Sequence, residues 1–297
     1  MKYALYLGCS IPIKYPGFEA ATRVVCERLG IELVDLPFSC CPPQSSMKMV
    51  HYDSWLALAA RNLCVAEQAG LDLVTLCSGC VNTLKEVNRL LKRSEPRRRK
   101  VNKILEAHNY HFNGTISVTH ILDVLYQDTF VERLIKESVR EIPLRVGCHY
   151  GCHYFRPPQF MYPEDLSPVE SYVPVKMDHL LSIIGVEPTE YSRKFLCCGS
   201  PLGVNVDQDA AYAITRQKLS HIRERDIQAI SVICPSCFEQ FDMGQIMLAR
   251  KHKEKNKVPV FYLTQLLGLA LGLSYHDVGL DVHRVKSKKL LDQINVA

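Results

Sequence analysis

Cys197-Cys198-Gly199, followed by Cys234-Pro235-Ser236-Cys237, decides how this chain is read, because the arrangement already occurs as Cys40-Cys41 and Cys77-Ser78-Gly79-Cys80. Thirty-six positions separate Cys41 from Cys77, and thirty-six again separate Cys198 from Cys234. Each adjacent pair has a Gly-Cys before it, Gly8-Cys9 in one half and Gly151-Cys152 in the other. Ten of the thirteen cysteines therefore form two matched sets of five, the mark of an internal duplication.

The segments between the motifs repeat as well. In the first half, apolar patterning predicts strands over 3–7, 31–36, 71–76 and 116–118, with helices over 18–29, 53–69, 80–91 and 121–135. Gly30 and Gly70 stand where helices end. The second half predicts strands over 144–148, 186–191, 227–233 and 258–262, and helices over 177–184, 209–225, 238–251 and 263–271. An insertion rich in Pro and Tyr occupies 155–174. The stretch 94–100 (SEPRRRK) is a break in composition, read as a solvated helix end or loop rather than a binding patch. Alternating strands and helices imply parallel sheets covered on both faces, with ligand sites in loops at the carboxyl ends of strands. The expectation is an α/β chain of two similar Rossmann-like parallel-sheet domains, 1–141 and 142–297, related by a pseudo-twofold axis. Every cysteine of the two sets follows a strand.

At 297 residues, with 47% hydrophobic and 23% charged residues, the composition is that of a globular protein of two cores. A formal charge of +5 is too mild to indicate nucleic acid and compatible with a small anionic substrate. The apolar run at 3–7 is too short for a signal peptide. The longest, 258–273, is broken by Thr264 and Gln265 and falls short of the roughly 20 residues of a membrane span. A reducing cytosol is the expected location, where repeated Cys-x-x-Cys indicates metal binding or redox chemistry.

A Cys-x-x-Cys opening a helix offers two thiolates to one metal, and the helix N-terminus helps to hold their charge. Zinc and a cubane iron–sulfur cluster each take four ligands, so five per half is one too many. Neighbouring α-carbons lie only about 3.8 Å apart, so the adjacent pairs would repel unless irons took them up or they formed a strained disulfide. Spacing leaves iron–sulfur, zinc and metal-free dithiol chemistry open. Cys26 and Cys64 fall within helices and read as small core residues. The run Cys148-His149-Tyr150-Gly151-Cys152-His153 permits a zinc site, but Gly151-Cys152 mirrors Gly8-Cys9, which leaves Cys148 buried at a strand end. His149 and His153 then border the second set, either as structural histidines or in substrate binding or proton delivery.

Together with Tyr15-Pro16-Gly17, Leu84-Lys85-Glu86-Val87-Asn88 and Phe261-Tyr262-Leu263-Thr264-Gln265, these motifs resemble the catalytic B subunit of heterodisulfide reductase over nearly the whole chain. One departure is that Pro42 follows Cys41 where Gly199 follows Cys198, making the first half the degenerate copy. The resemblance implies two non-cubane [4Fe–4S] clusters, one held by Cys9, Cys40, Cys41, Cys77 and Cys80, the other by Cys152, Cys197, Cys198, Cys234 and Cys237. It implies reduction of the coenzyme M–coenzyme B heterodisulfide between them. Electrons would come from a flavin-containing A subunit through cubane clusters of a C subunit, fed by a hydrogenase or formate dehydrogenase. No flavin fingerprint or ferredoxin-type cysteine run is present in this chain. Alternatives are a related disulfide or thiol oxidoreductase subunit of sulfur-oxidising or sulfate-reducing metabolism, and a non-catalytic zinc or electron-relay scaffold.

Overall fold

The strand at the N-terminus, β1 (Lys2–Tyr6), is flanked on one side by β2 (Glu32–Asp35) and on the other by β3 (Leu73–Thr75), with β4 (Val118–His120) outermost. All three pairings are parallel. The second half repeats this with β5 (Arg145–His149), β6 (Glu187–Pro188), β7 (Ala229–Val232) and β8 (Val260–Tyr262) in the order β6-β5-β7-β8. The computed structural model describes residues 1–44, 46–162, 174–253 and 257–296. The 155–174 insertion therefore lies mostly outside the described residues.

In each sheet the chain winds first to one side of the opening strand and then to the other. That reversal creates a crevice at the carboxyl ends of β1 and β3, and of β5 and β7. Cys9 and Cys77 leave the first crevice; Cys152 and Cys234 leave the second. Both Cys-x-x-Cys motifs start helices the same way. Cys77 caps Ser78–Arg93 and Cys234 caps Pro235–His252, each with an extended backbone, while the second cysteine sits in the first turn. The latter helix starts three residues before the expected 238, because proline is well suited to a first helical position.

The 94–100 stretch is a solvated helix end: Glu95–Leu105 begins there after Ser94, and Glu95-Pro96 suits a first turn. One expectation needs correction. The helix expected over 121–135 is two, Ile121–Leu125 and Asp128–Glu137, separated where Gln127 turns extended and opens the second.

The halves pack intimately. Phe18 stacks on Tyr262 with centroids 3.7 Å apart, and Thr22 hydrogen-bonds Thr264 at 3.0 Å. His120, at the end of β4, reaches the Ile233 carbonyl at 3.1 Å. On the cysteine side, Ser78 donates to the Tyr150 carbonyl, and the Asn82 amide donates to His153 O (3.0 Å) and Arg156 O (2.7 Å). The two crevices thus open into one space.

Candidate metal centre

That space is a cavity of about 350 Å³ lined by nine of the ten set cysteines, all but Cys40. Ser10, Lys14, Gln44, Thr83, His153, Ser236 and Glu239 also face it. Cys77, Cys80, Cys198, Cys234 and Cys237 are buried; Cys41, Cys152 and Cys197 are half-buried; Cys9 and Cys40 are exposed.

Eight thiols form an unbroken run, each within hydrogen-bonding reach of the next: Cys41, Cys80, Cys77, Cys234, Cys237, Cys198, Cys197, Cys152. The run crosses between the halves at Cys77 and Cys234. Cys41, Cys234 and Cys197 are pushed down by the thiol bonds they accept from Cys80, Cys237 and Cys152. Cys80, Cys77, Cys237, Cys198 and Cys152 are pushed up by donating into the run and by burial. So many sulfurs in so little water cannot all ionise on their own. Cationic metal among them removes that conflict, since coordination deprotonates a thiol outright.

Glycine is needed at the two matching entrances. Gly8 has φ +72° and Gly151 has φ +75°. A Cβ at Gly8 would stand 2.7 Å from Cys80 Sγ, and one at Gly151 would stand 3.3 Å from Cys237 Sγ. In both halves the second cysteine of the helix motif rests on this glycine.

The two histidines separate. His153 lines the cavity, with Nδ1 close over Gly79. His149 has no exposed surface and lies behind Cys198 and Cys237, one ring nitrogen and both sulfurs being within 4.8 Å of one another. Burial holds its pKa well down, helped by neighbouring Lys218. Its Nε2 is buried without a hydrogen-bond partner among the described residues. An orphaned donor or acceptor beside crowded sulfurs fits a site completed by an inorganic core. Cys148 is buried beneath Asp178 and pushed well up by burial; Cys26 and Cys64 are pushed up to about 12 in the same way. All three lie outside the cavity.

Reading the sequence missed Tyr6, Lys14, Lys218 and Glu239. Tyr6 was reachable: the 143-residue offset that carries Cys9 onto Cys152 carries Tyr6 onto His149. Lys14 and Glu239 form a 3.0 Å ion pair between the halves at the cavity wall, which no local pattern announces.

The model of the cysteine-rich CCG domain matches twice, at residues 3–85 and 146–242. The chain is 34% identical, over 99% of its length and 97% of the relative's, to the B subunit of the ferredoxin/F420H2-dependent CoB–CoM heterodisulfide reductase of Methanosarcina acetivorans. The chain belongs to the heterodisulfide reductase B-subunit family of CCG proteins. A second family member, the B subunit of the ferredoxin:CoB–CoM heterodisulfide reductase of Methanosarcina mazei, is 35% identical over the same 99% of the chain and 97% of its own length. A hypothetical protein from Helicobacter pylori shares the fold, with a TM-score of 0.76 at 17% identity, covering 96% of this chain and 52% of that one. Membership of the B-subunit family makes this chain an iron–sulfur oxidoreductase subunit. No helix among the described residues is long and apolar enough to cross a membrane.

Proposed function

We propose that this chain is the disulfide-cleaving subunit of a heterodisulfide reductase. It would reduce the mixed disulfide of coenzyme M and coenzyme B to two thiols, taking up two electrons and two protons. The observation that carries this reading is the single cavity shared by both cysteine sets, with Cys77 and Cys234 in contact where the halves meet. A site for splitting one bond into two similar fragments calls for two similar faces around it.

Cys9, Cys40, Cys41, Cys77 and Cys80 would hold one non-cubane [4Fe–4S] cluster, and Cys152, Cys197, Cys198, Cys234 and Cys237 the other. When bound, these clusters supply one-electron transfer and metal sites with affinity for sulfur. The chain's own residues do the rest. The helix N-termini at Cys77 and Cys234 point peptide N–H groups at the sulfurs and favour negative charge there. His153 faces the substrate and, with Lys14 on the wall, offers polar contact to the anionic groups of the two thiol coenzymes. Asn82 fixes His153 by holding its carbonyl. The partners on this reading are a flavin-bearing A subunit and a C subunit with cubane clusters, served by a hydrogenase or formate dehydrogenase in the cytoplasm.

Anoxic purification with the partner subunits tests the proposal. Iron and sulfide contributed by this chain should each approach about eight atoms. The complex should consume the heterodisulfide with reduced dye as donor. A colourless, zinc-loaded chain, or a fully iron-loaded complex inert toward the heterodisulfide, overturns it.

A further inference from the structure

The duplication makes the two sites comparable position by position, and the residues behind the cysteines differ between them. The offset of 143 residues that carries Cys9 onto Cys152 carries Tyr6 onto His149, and 157 residues carry Cys41 onto Cys198, Pro37 onto Lys194 and Arg61 onto Lys218. In the first half the Tyr6 hydroxyl donates to Ser39 O at 3.0 Å, receives the Asn62 amide at 3.5 Å, and also lies within reach of the Cys41 thiol. Arg61 turns outward, to Pro37 O (2.8 Å) and the Tyr110 hydroxyl (3.1 Å). The backing of the first set is therefore neutral and already engaged.

In the second half the cation turns inward. Lys218 is 1% exposed, and its ammonium reaches Arg193 O, Lys194 O (3.2 Å) and His149 Nδ1 (3.3 Å). An ammonium has three N–H groups and no acceptor. With two given to carbonyls and the third to the imidazole, Nδ1 is the accepting nitrogen and the ring hydrogen sits on Nε2. The Lys194 carbonyl lies against the same imidazole and is satisfied by Lys218. Nε2 is the buried atom with no partner among the described residues, and one nitrogen of this ring lies within 4.8 Å of the Cys198 and Cys237 sulfurs.

We propose that His149, oriented by Lys218, donates its Nε2–H to sulfur of the core held by Cys152, Cys197, Cys198, Cys234 and Cys237, making this the first of the two sites to accept an electron. The inference rests on the two-cluster reading above. Hydrogen bonds to cluster sulfurs and local charge set reduction potential, and a charge-assisted donor is roughly twice as strong as a neutral one. The donor stabilises the reduced core more, because that state carries more negative charge.

The experiment is a potentiometric titration of the whole complex, followed by electron paramagnetic resonance, for wild type, Lys218→Met, Lys218→Arg and His149→Leu, after iron and sulfide are measured in each. Lys218→Met should disfavour reduction at the second site by about tenfold, about 59 mV downward for a one-electron couple, while the first site stays put. His149→Leu should shift it at least as far, and Lys218→Arg should restore most of the difference. Independently of any variant, the reduced second core of the wild type should show an exchangeable proton coupling that D2O removes. Equal shifts at both sites, unmoved potentials with iron intact, or strong coupling to directly bound histidine nitrogen would overturn the inference. A wild type without iron overturns the two-cluster reading itself and this inference with it.

Discussion

Replacing Gly8 by alanine adds one methyl group where the backbone and a sulfur both exclude it. At φ +72° an L residue is strained, at a cost of roughly 1–3 kcal/mol. The new Cβ would then stand 2.7 Å from Cys80 Sγ, well inside ordinary contact, and Cys80 is itself pinned at the start of a buried helix. Gly151→Ala meets a comparable backbone penalty at φ 75°, ψ 137°, but its nearest sulfur, Cys237, is 3.3 Å away and needs to yield only a few tenths of an ångström. The two substitutions should therefore cost similar stability, roughly 1–3 kcal/mol in denaturant titration of the anoxically purified protein. They should differ in metal content. Gly8→Ala displaces a sulfur of the first set and should lose close to half of the chain's iron, whereas Gly151→Ala should keep most of it. Paired iron and sulfide analyses decide the matter. Equal iron retention in the two variants, or loss confined to Gly151→Ala, would refute the claim that these glycines are required by the sulfurs resting on them.

Three further outcomes are expected. Lys194, its side chain 4% exposed, binds Asp178 at 2.6 Å and Glu190 at 2.5 Å, so Lys194→Met leaves Asp178 partly buried without its cation and should cost about 3–5 kcal/mol in denaturant midpoint experiments. Asn82→Leu removes the donor to His153 O and Arg156 O; a loss of about 1–3 kcal/mol and a raised KM for the disulfide are expected, the latter measured by steady-state kinetics. Burial lowers His120 and His283 to about 4, against about 6.5 in an unfolded chain. The unfolded state therefore binds more protons between those values, and stability should fall as pH drops below about 6.5, by about 2 kcal/mol for each histidine at pH 5. Denaturation at pH 7 and pH 5 checks this: the drop should shrink by about 2 kcal/mol in His283→Leu, and an unchanged drop would count against it.

Much of the architecture was legible in one dimension. The spacing of the cysteines, the glycines at helix ends and the alternation of apolar runs are local signals. They carried the duplication, the two parallel sheets and the position of both Gly-Cys and both Cys-x-x-Cys motifs just after a strand. Where local signals were read too coarsely, boundaries slipped. Gln127 divides a run that reads as one helix, and the strand expected over 186–191 is only Glu187–Pro188.

The chain's order alone determined that two equivalent sets of five thiols exist and that each is carried by loops at the carboxyl ends of parallel strands. Only the packing of one half on the other decided that the sets share a single cavity and meet at Cys77 and Cys234. Packing also put His153 at the cavity and His149 behind it with Lys218. The physical reason is that periodicity records which face of an element is buried. Where two buried faces meet is settled by contacts such as Phe18 on Tyr262 and Thr22 on Thr264, between residues more than two hundred positions apart.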